Sequence, residues 1–215
     1  MPGTIPDTAI LVFARAPVAG ATKTRLIPLL GAAGAAALHA RLVTQALSTA
    51  RTAAPARLEL WCAPDAAHPV LQSAAAAHGA TLHVQQGDTL GDRMAHAIAD
   101  ALQRSTYAVC IGTDCPALQA QHLHHAAAAL NHGNDAVFVP TEDGGYALVG
   151  LAFAQRQLFY NMDWGGPQVM AQTRTRLRGF NLRWQELDTL WDVDRPEDVL
   201  RLQRSGLLPD APVPG

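Results

Sequence analysis

Five short apolar runs, the first four each followed by a longer stretch with helical spacing, constrain the fold of this chain more than any other feature. The runs cover residues 9–14, 58–63, 81–85, 107–111 and 136–139. The first, Ala-Ile-Leu-Val-Phe-Ala, has no polar residue, which is the pattern of a strand covered on both faces. Between the runs, Ala and Leu recur at helical intervals, as at Leu38, Leu42 and Leu47, and predict helices over 31–54, 66–78, 90–104 and 119–131. Strand and helix in alternation imply an α/β fold with a mostly parallel sheet, helices on both faces and right-handed crossovers. Past Pro140 the rhythm changes. A strand is expected over 146–151, a helix over 168–177, an extended segment over 182–190 and a last helix over 196–204. Residues 1–208 read as one domain and the Pro-rich 209–215 as a frayed tail.

A chain of 215 residues, 49% hydrophobic, is long enough to bury roughly 70% of its unfolded surface. Its net charge of −2 supplies no basic field for nucleic acid or an anionic membrane. Cys62, Cys110 and Cys115 form no C-x-x-C pair, which favours a reducing, cytoplasmic setting. The first residues lack the pattern of a signal peptide, and the Ala-rich helices look too polar for a membrane span. Oligomeric state is not legible.

The run 107–111 stops at Gly112-Thr-Asp-Cys-Pro116, which delivers Asp114 to the carboxyl edge of the sheet, where open α/β sheets bind ligands. A hard cation such as Mg²⁺ takes one or two carboxylates together with phosphate oxygens. Asp114 therefore reads as a metal ligand or as the cap of a helix starting near Pro116. A second acidic cluster, Trp191-Asp-Val-Asp-Arg-Pro-Glu-Asp198, favours the first. Asp192 and Asp194 are read as alternating on an extended stretch, so that only one of them completes a cation site with Asp114. Glu197 and Asp198 fall in a helix's first turn and are assigned to its dipole.

The loop 13–26, F-A-R-A-P-V-A-G-A-T-K-T-R-L, follows the first strand, the usual place for phosphates. Gly20 permits close backbone approach, Lys23 supplies a point charge and Arg25 a planar fork; the alternative is a solvated loop. It is no P-loop, because Pro17 and Thr22 stand where glycines are needed. Glu142-Asp-Gly-Gly-Tyr146 reads as a substrate loop or as a plain hairpin turn. Trp164, in the Gly-rich 162–167, lids a ligand or plugs the core. In 87–94, Asp88 is expected to cap a helix, and Asp92 and Arg93 either pair or face a nucleotide. The nine histidines, His122, His124 and His125 among them, lack zinc-site spacing and read as solvated. No Gly-x-Ser-x-Gly elbow is present and Cys115 has no paired base, which disfavours acyl transfer.

Taken in order between Ile10 and Leu202, F-A-R-A-P-x-x-G-x-x-K-T-R-L, G-T-D-C-P, E-D-G-G-Y-x-L-x-G-L and D-V-D-x-P-E-D form a recognisable set. The set resembles a bacterial family of uncharacterised GT-A-like proteins in the nucleotide-diphospho-sugar transferase superfamily, related to MobA-type and phospholactate guanylyltransferase nucleotidyltransferases. The resemblance implies a three-layer α/β/α sandwich whose first half binds a nucleotide. It puts Lys23 and Arg25 on phosphates, Asp114 on the divalent metal and Asp143 to Tyr146 on the acceptor side. Together with the reading of the residues, the candidates are Lys23, Arg25 and Asp143 for catalysis, Arg15, Gly20, Lys23, Arg25 and Arg93 for the nucleotide, Asp143, Gly144, Gly145, Tyr146 and Trp164 for substrate, and Asp114 with Asp192 or Asp194 for Mg²⁺ or Mn²⁺. Two departures stand out: Pro116 replaces the second acid of an Asp-x-Asp, and of a Gly-x-Gly loop only Gly20 remains. The expected function is a metal-dependent transferase with a nucleotide-activated donor and a small-molecule acceptor. Glycosyl transfer from a nucleotide sugar comes first, nucleotidyl transfer with pyrophosphate release second, and a non-catalytic nucleotide-binding module third.

Overall fold

The structure, a computed structural model, describes residues 5–208, so the expected tail at 209–215 lies outside the described residues. The first part of the chain runs β1 (Thr8–Arg15), α1 (Ile27–Thr52), β2 (Arg57–Ala63), α2 (Pro69–His78), β3 (Thr81–Val84), α3 (Leu90–Ala101) and β4 (Tyr107–Ile111). It continues with α4 (Ala120–Asn131), β5 (Ala136–Pro140), β6 (Tyr146–Leu151), α5 (Val169–Gly179), β7 (Trp184–Glu186) and α6 (Pro196–Ser205). The seven strands form one sheet in the order β3-β2-β1-β4-β6-β5-β7. Pairs β1–β2, β1–β4, β2–β3 and β5–β7 are parallel. Strand β6 runs antiparallel between β4 and β5. The alternation of elements did not announce that reversal, but chain length requires it. The short link at 141–145 cannot hold the dozen or more residues of a parallel crossover, so the chain turns back as a hairpin.

The two-residue period of a strand explains the unbroken apolar run in β1. Ile10 and Val12 join a cluster with α1, α2 and α4, while Ala9 and Leu11 face α3 and α5 on the other side. All four are fully buried. Each such aliphatic side chain stabilises the fold by about 1.5–3 kcal/mol for the larger residues. A third cluster joins Leu26, Leu38 and Leu42 to Val193, Val199 and Leu202, and so fastens the chain's late acidic segment onto the start of α1.

Three expectations need correction here. By length and hydropathy, residues 24–52 would suffice to cross a membrane, because few charges interrupt the Ala and Leu of α1. Its Leu38, Val43 and Leu47 are fully buried in two of the core clusters, and Gly31 (φ 69°) breaks the helix near its start. Only Trp184–Glu186 of the 182–190 segment pairs with β5, followed by a single bridge between Thr141 and Leu190. Thr89, not Asp88, caps α3, its Oγ1 accepting from the Asp92 amide at 3.1 Å. The three cysteines are free and buried, and burial pushes the Cys62 thiol up to about 11 and that of Cys115 to about 12.

Candidate active site

The chain runs outward from β1 to β3 and then restarts with β4 on the other side of β1, so the strand order reverses between β1 and β4. Ligands of open α/β sheets bind outside the carboxyl ends of strands at such a point. A cleft of about 870 Å³ opens there, and Arg15, Lys23, Asp114, Asp143, Asp192 and Asp194 all line it.

Three distant segments build its acidic wall. Asp114 follows β4 through the Gly112-Thr113 turn. The capping alternative does not hold, since α4 begins at Ala120 with Gln119 as its N-cap. The amide of buried Val193 donates to the Asp114 carbonyl at 2.8 Å, which draws Asp192 and Asp194 to the floor of the cleft. Both carboxylates line the cleft, contrary to the expectation that only one would. Residues two apart on an extended stretch project to the same side, and Val193 between them points into the core. The turn 141–146 supplies Asp143, whose Oδ1 accepts from Thr141 Oγ1 at 2.6 Å and from the Gly145 amide at 3.0 Å. Glu142 ties this turn to α6 through a two-pronged contact with Arg201, at 2.7 and 3.0 Å.

Lys23 is the strut of this wall. It sits in the left-handed region (φ 49°), and its side chain is only 5% exposed. Its Nζ lies 2.5 Å from the Val193 carbonyl, 3.0 Å from Asp114 Oδ1 and 3.8 Å from Asp194 Oδ1. An ammonium has three donor hydrogens, and three protein oxygens surround this one. Asp194 is also held by Arg25, an exposed side chain. Burial raises the pKa of Asp114, but Lys23 and His39 outweigh it and hold the carboxyl below its ordinary range. Asp192 behaves in the opposite way: burial, then the charges of Asp114 and Asp143, push it up to about 7 against the pull of Lys23.

His39, on α1, lies behind Asp114 and is buried. Its Nε2 is 2.9 Å from the Arg15 carbonyl, which can only accept, so Nε2 carries the proton. Nδ1 has no hydrogen-bond partner among the described residues and lies 3.9 Å from Asp114 Oδ1. Burial lowers the His39 pKa, with Asp114 opposing. On the other flank, Tyr146 and Trp164 meet edge to face at 6.3 Å, and Tyr146 Oη and Trp164 Nε1 are likewise buried without partners among the described residues.

Residues 46–166, more than half of the chain, match the profile of DUF2064, described as an uncharacterized protein conserved in bacteria. The chain belongs to the DUF2064 family. The matched span holds Asp114 and the 141–146 turn of this DUF2064 protein, whereas Lys23, Arg25, Asp192 and Asp194 lie outside it. No protein of curated function matches the sequence. Among solved structures, one similar to it is a provisionally assigned nucleotide-diphospho-sugar transferase from Desulfovibrio desulfuricans G20. The TM-score is 0.84 at 29% identity, over 94% of this chain and 88% of that one. A second is glucosyl-3-phosphoglycerate synthase from Mycobacterium tuberculosis, solved with Mn²⁺, UDP and glucosyl-3-phosphoglycerate (TM-score 0.55, 11% identity, 98% and 81% covered). A third is a cytidylyltransferase from Leptospira borgpetersenii serovar Hardjo-bovis (TM-score 0.58, 12% identity, 93% and 87% covered). These likenesses place the DUF2064 chain in the GT-A-like fold.

The DUF2064 structure brings most of the anticipated residues together. Arg15, Lys23, Arg25, Arg93, Asp143, Gly145, Tyr146 and Trp164 line one cleft with the three metal candidates. Two glycines do not line it. Gly20 (φ +82°) forms an exposed turn in which a Cβ would meet nothing within 4 Å. Gly144 (φ +91°) packs against Pro167, whose carbonyl oxygen would lie 2.0 Å from a Cβ. Trp164 both lines the cleft and packs on Gly91 at the start of α3. Asp92 and Arg93 do not pair with each other: Asp92 takes Thr89 and Arg156, and Arg93 Nε donates to the Gly87 carbonyl at 2.9 Å. Two histidines read as solvated are buried, His39 and His122, the latter accepting from the Gln119 amide through Nδ1 at 2.9 Å. His39 was detectable, since it falls between Ala35 and Leu42 on the apolar face of α1.

Proposed function

We propose that this protein is a divalent-metal-dependent glycosyltransferase that draws on a nucleoside diphosphate sugar. One observation carries the reading: Asp114, Asp143 and Asp192 converge in a cleft that Arg15, Arg25 and Arg93 also line. The name of the Desulfovibrio protein, at 29% identity, supports the donor class. The Mn²⁺ and UDP of the mycobacterial synthase support the metal and the diphosphate.

The residues fit a divalent ion. Asp114, Asp143, Asp192 and Asp194 are four carboxylates against the two cations Lys23 and Arg25, so four minus two leaves two negative charges when all are ionised. Among the described residues no group of three or more His, Cys, Asp or Glu side chains is arranged to hold an ion alone. Mg²⁺ or Mn²⁺ takes one or two carboxylates beside water and phosphate oxygens, so the reading requires a bound diphosphate to complete the site. Asp114 and Asp192 are the two ligands, because Lys23 meets only Oδ1 of Asp114, whereas Asp194 has Oδ1 beside Lys23 and Oδ2 on Arg25. When bound, the ion stabilises the charge that develops on the leaving diphosphate.

The chain's own groups do the rest. Lys23 holds the two acidic segments at a fixed spacing. Arg15 and Arg25 reach the diphosphate oxygens and favour charge as it accumulates there. Asp143 is held through Oδ1 by its own turn and presents Oδ2 to take the proton of the acceptor hydroxyl.

Product analysis tests the proposal. Incubation with Mn²⁺ and a panel of nucleotide sugars should release a nucleoside diphosphate, and EDTA should stop the release. Pyrophosphate formed from a nucleoside triphosphate would instead assign nucleotidyl transfer. Nucleotide binding without either product would contradict both.

A further inference from the structure

The two edges of the sheet differ. Strand β7 closes one edge with only three residues, and Arg174 grips its Glu186 at 2.9 and 2.6 Å. Short length and charge are how natural sheets keep an edge from pairing with another chain. Strand β3 forms the other edge and reads Thr-Leu-His-Val, with neither charge nor proline. Its Leu82 and Val84 are 38% and 41% exposed, and among the described residues no strand pairs with its outer side. The neutrality reaches past the strand. Residues 66–87, which carry α2 and β3, hold no Asp, Glu, Lys or Arg in a chain of which 16% is charged.

Such a face suits a second copy of itself. Two-fold symmetry sets each residue near the axis against its own counterpart or a close neighbour, where a charge would meet its like. An uncharged face escapes that cost, and this stretch is as long as the about 20–30 residues that one partner gives to a stable interface.

The backbone fixes how the copies meet. The Gln85 N–H donates to the Cys62 carbonyl, so the two-residue period turns Thr81 and His83 toward β2 and leaves the N–H and C=O groups of Leu82 and Val84 pointing outward. The Ala80 N–H is already given to the Ala75 carbonyl. An antiparallel partner therefore satisfies all the outward groups of Leu82 and Val84 in one register, centred on His83. There Leu82 lies opposite the partner's Val84, and each such pair exchanges two hydrogen bonds. Both side chains stand on the α2 face with Leu60 and Cys62, apolar against apolar, while the two His83 rings flank the axis on the face of Trp61. We infer that β3 is a homodimer interface, at which two copies join edge to edge into one continuous sheet. The carboxyl edges of the two sheets then face opposite ways, so each cleft stays open and the dimer is independent of what the cleft binds.

Sedimentation velocity of the full chain over a concentration series tests this. Wild type should pass from monomer to dimer as concentration rises. Leu82→Lys, which puts a charge on the edge, should stay monomeric at every concentration, with a urea midpoint close to that of wild type. Val84→Pro removes an outward N–H and should stay monomeric too. The register has its own check. After mild oxidation His83→Cys should run as a disulfide-linked dimer, since directly opposed residues of a non-hydrogen-bonded pair lie about 4.5 Å apart at Cα, within disulfide reach. Leu82→Cys should not link, because its counterpart across the axis is displaced by two residues. A wild-type chain that remains monomeric throughout, a dimer that survives either Leu82→Lys or Val84→Pro, or linking of Leu82→Cys in place of His83→Cys would overturn the inference. All of these outcomes leave the proposed transferase activity untouched.

Discussion

On the acidic wall of the cleft, Asp114 is fixed by Lys23, Asp143 by Thr141 and the Gly145 amide, and Asp194 by Lys23 and Arg25. A second region of the cleft, at the end of β1, presents an exposed Arg15. The first wall is organised before any ligand arrives, as electrostatic catalysis requires. The second offers surface and charge for a ligand to occupy. The contrast separates residues that hold the site from residues that, on the proposed function, meet the substrate, and it divides two cations that look equivalent in Lys23-Thr-Arg25.

The largest effect should come from the preorganised wall. Asp114→Asn should lower kcat/KM by about a thousandfold or more, several kcal/mol of barrier, and should also lower the melting temperature modestly, since Lys23 favours the ionised carboxylate in the fold. A comparable activity in this variant would remove the metal from the account. Gly144→Ala should follow. Its Cβ would meet the Pro167 carbonyl at 2.0 Å in a left-handed conformation, so urea denaturation should show a loss of about 2–3 kcal/mol. Gly20→Ala, with open space around it, should cost only about 1 kcal/mol for its positive φ.

The two cations sharpen the comparison further. Lys23→Met leaves the Val193 carbonyl and Asp114 without this donor, while Arg25 still holds Asp194, and should cost about 1–3 kcal/mol of stability, discounted because Asp114 is half-exposed. Arg25→Met should cost under about 1 kcal/mol, since its side chain is 66% exposed, yet weaken pyrophosphate binding measurably by titration. Equal stability losses in the two variants would erase the distinction. The smallest effect is a pH dependence at the tether between the turn and α6. Arg201 holds Glu142 below its ordinary pKa, so this contact stabilises the fold above about pH 4.3 and is lost as pH falls through the depressed folded value. Glu142→Gln should therefore lower the urea midpoint slightly at neutral pH, and should match wild type once the pH is low enough to protonate Glu142.

Sequence periodicity carried the sheet well because burial on both faces leaves a local signature, as in Ala9 to Ala14. It did not reveal that β6 is reversed, a consequence of how short the 141–145 link is rather than of any strand's composition. Asp114 was legible from its place after a strand. The facing of Asp192 and Asp194 together was not, since it depends on Val193 being anchored in a core cluster shared with α1. Lys23 suggested a phosphate contact because a lysine in a loop after β1 commonly has that use; only tertiary structure shows three protein oxygens around it. The contacts of His39 and Gln85 went unread for the same reason, although the place of His39 on the apolar face of α1 signals its burial. Their partners, Arg15 in one case and Ala14 with Trp61 in the other, are far away in sequence and contribute backbone carbonyls, which no motif records.

Binding of Mn²⁺ followed by electron paramagnetic resonance, with and without a nucleoside diphosphate, tests the central claim most directly. The account predicts that the wild-type chain takes up Mn²⁺ far more tightly when the diphosphate is present, and that Asp114→Asn and Asp192→Asn each abolish that gain while Asp194→Asn weakens it less. Mn²⁺ uptake that ignores the diphosphate, or that survives both of the first two substitutions, would contradict it.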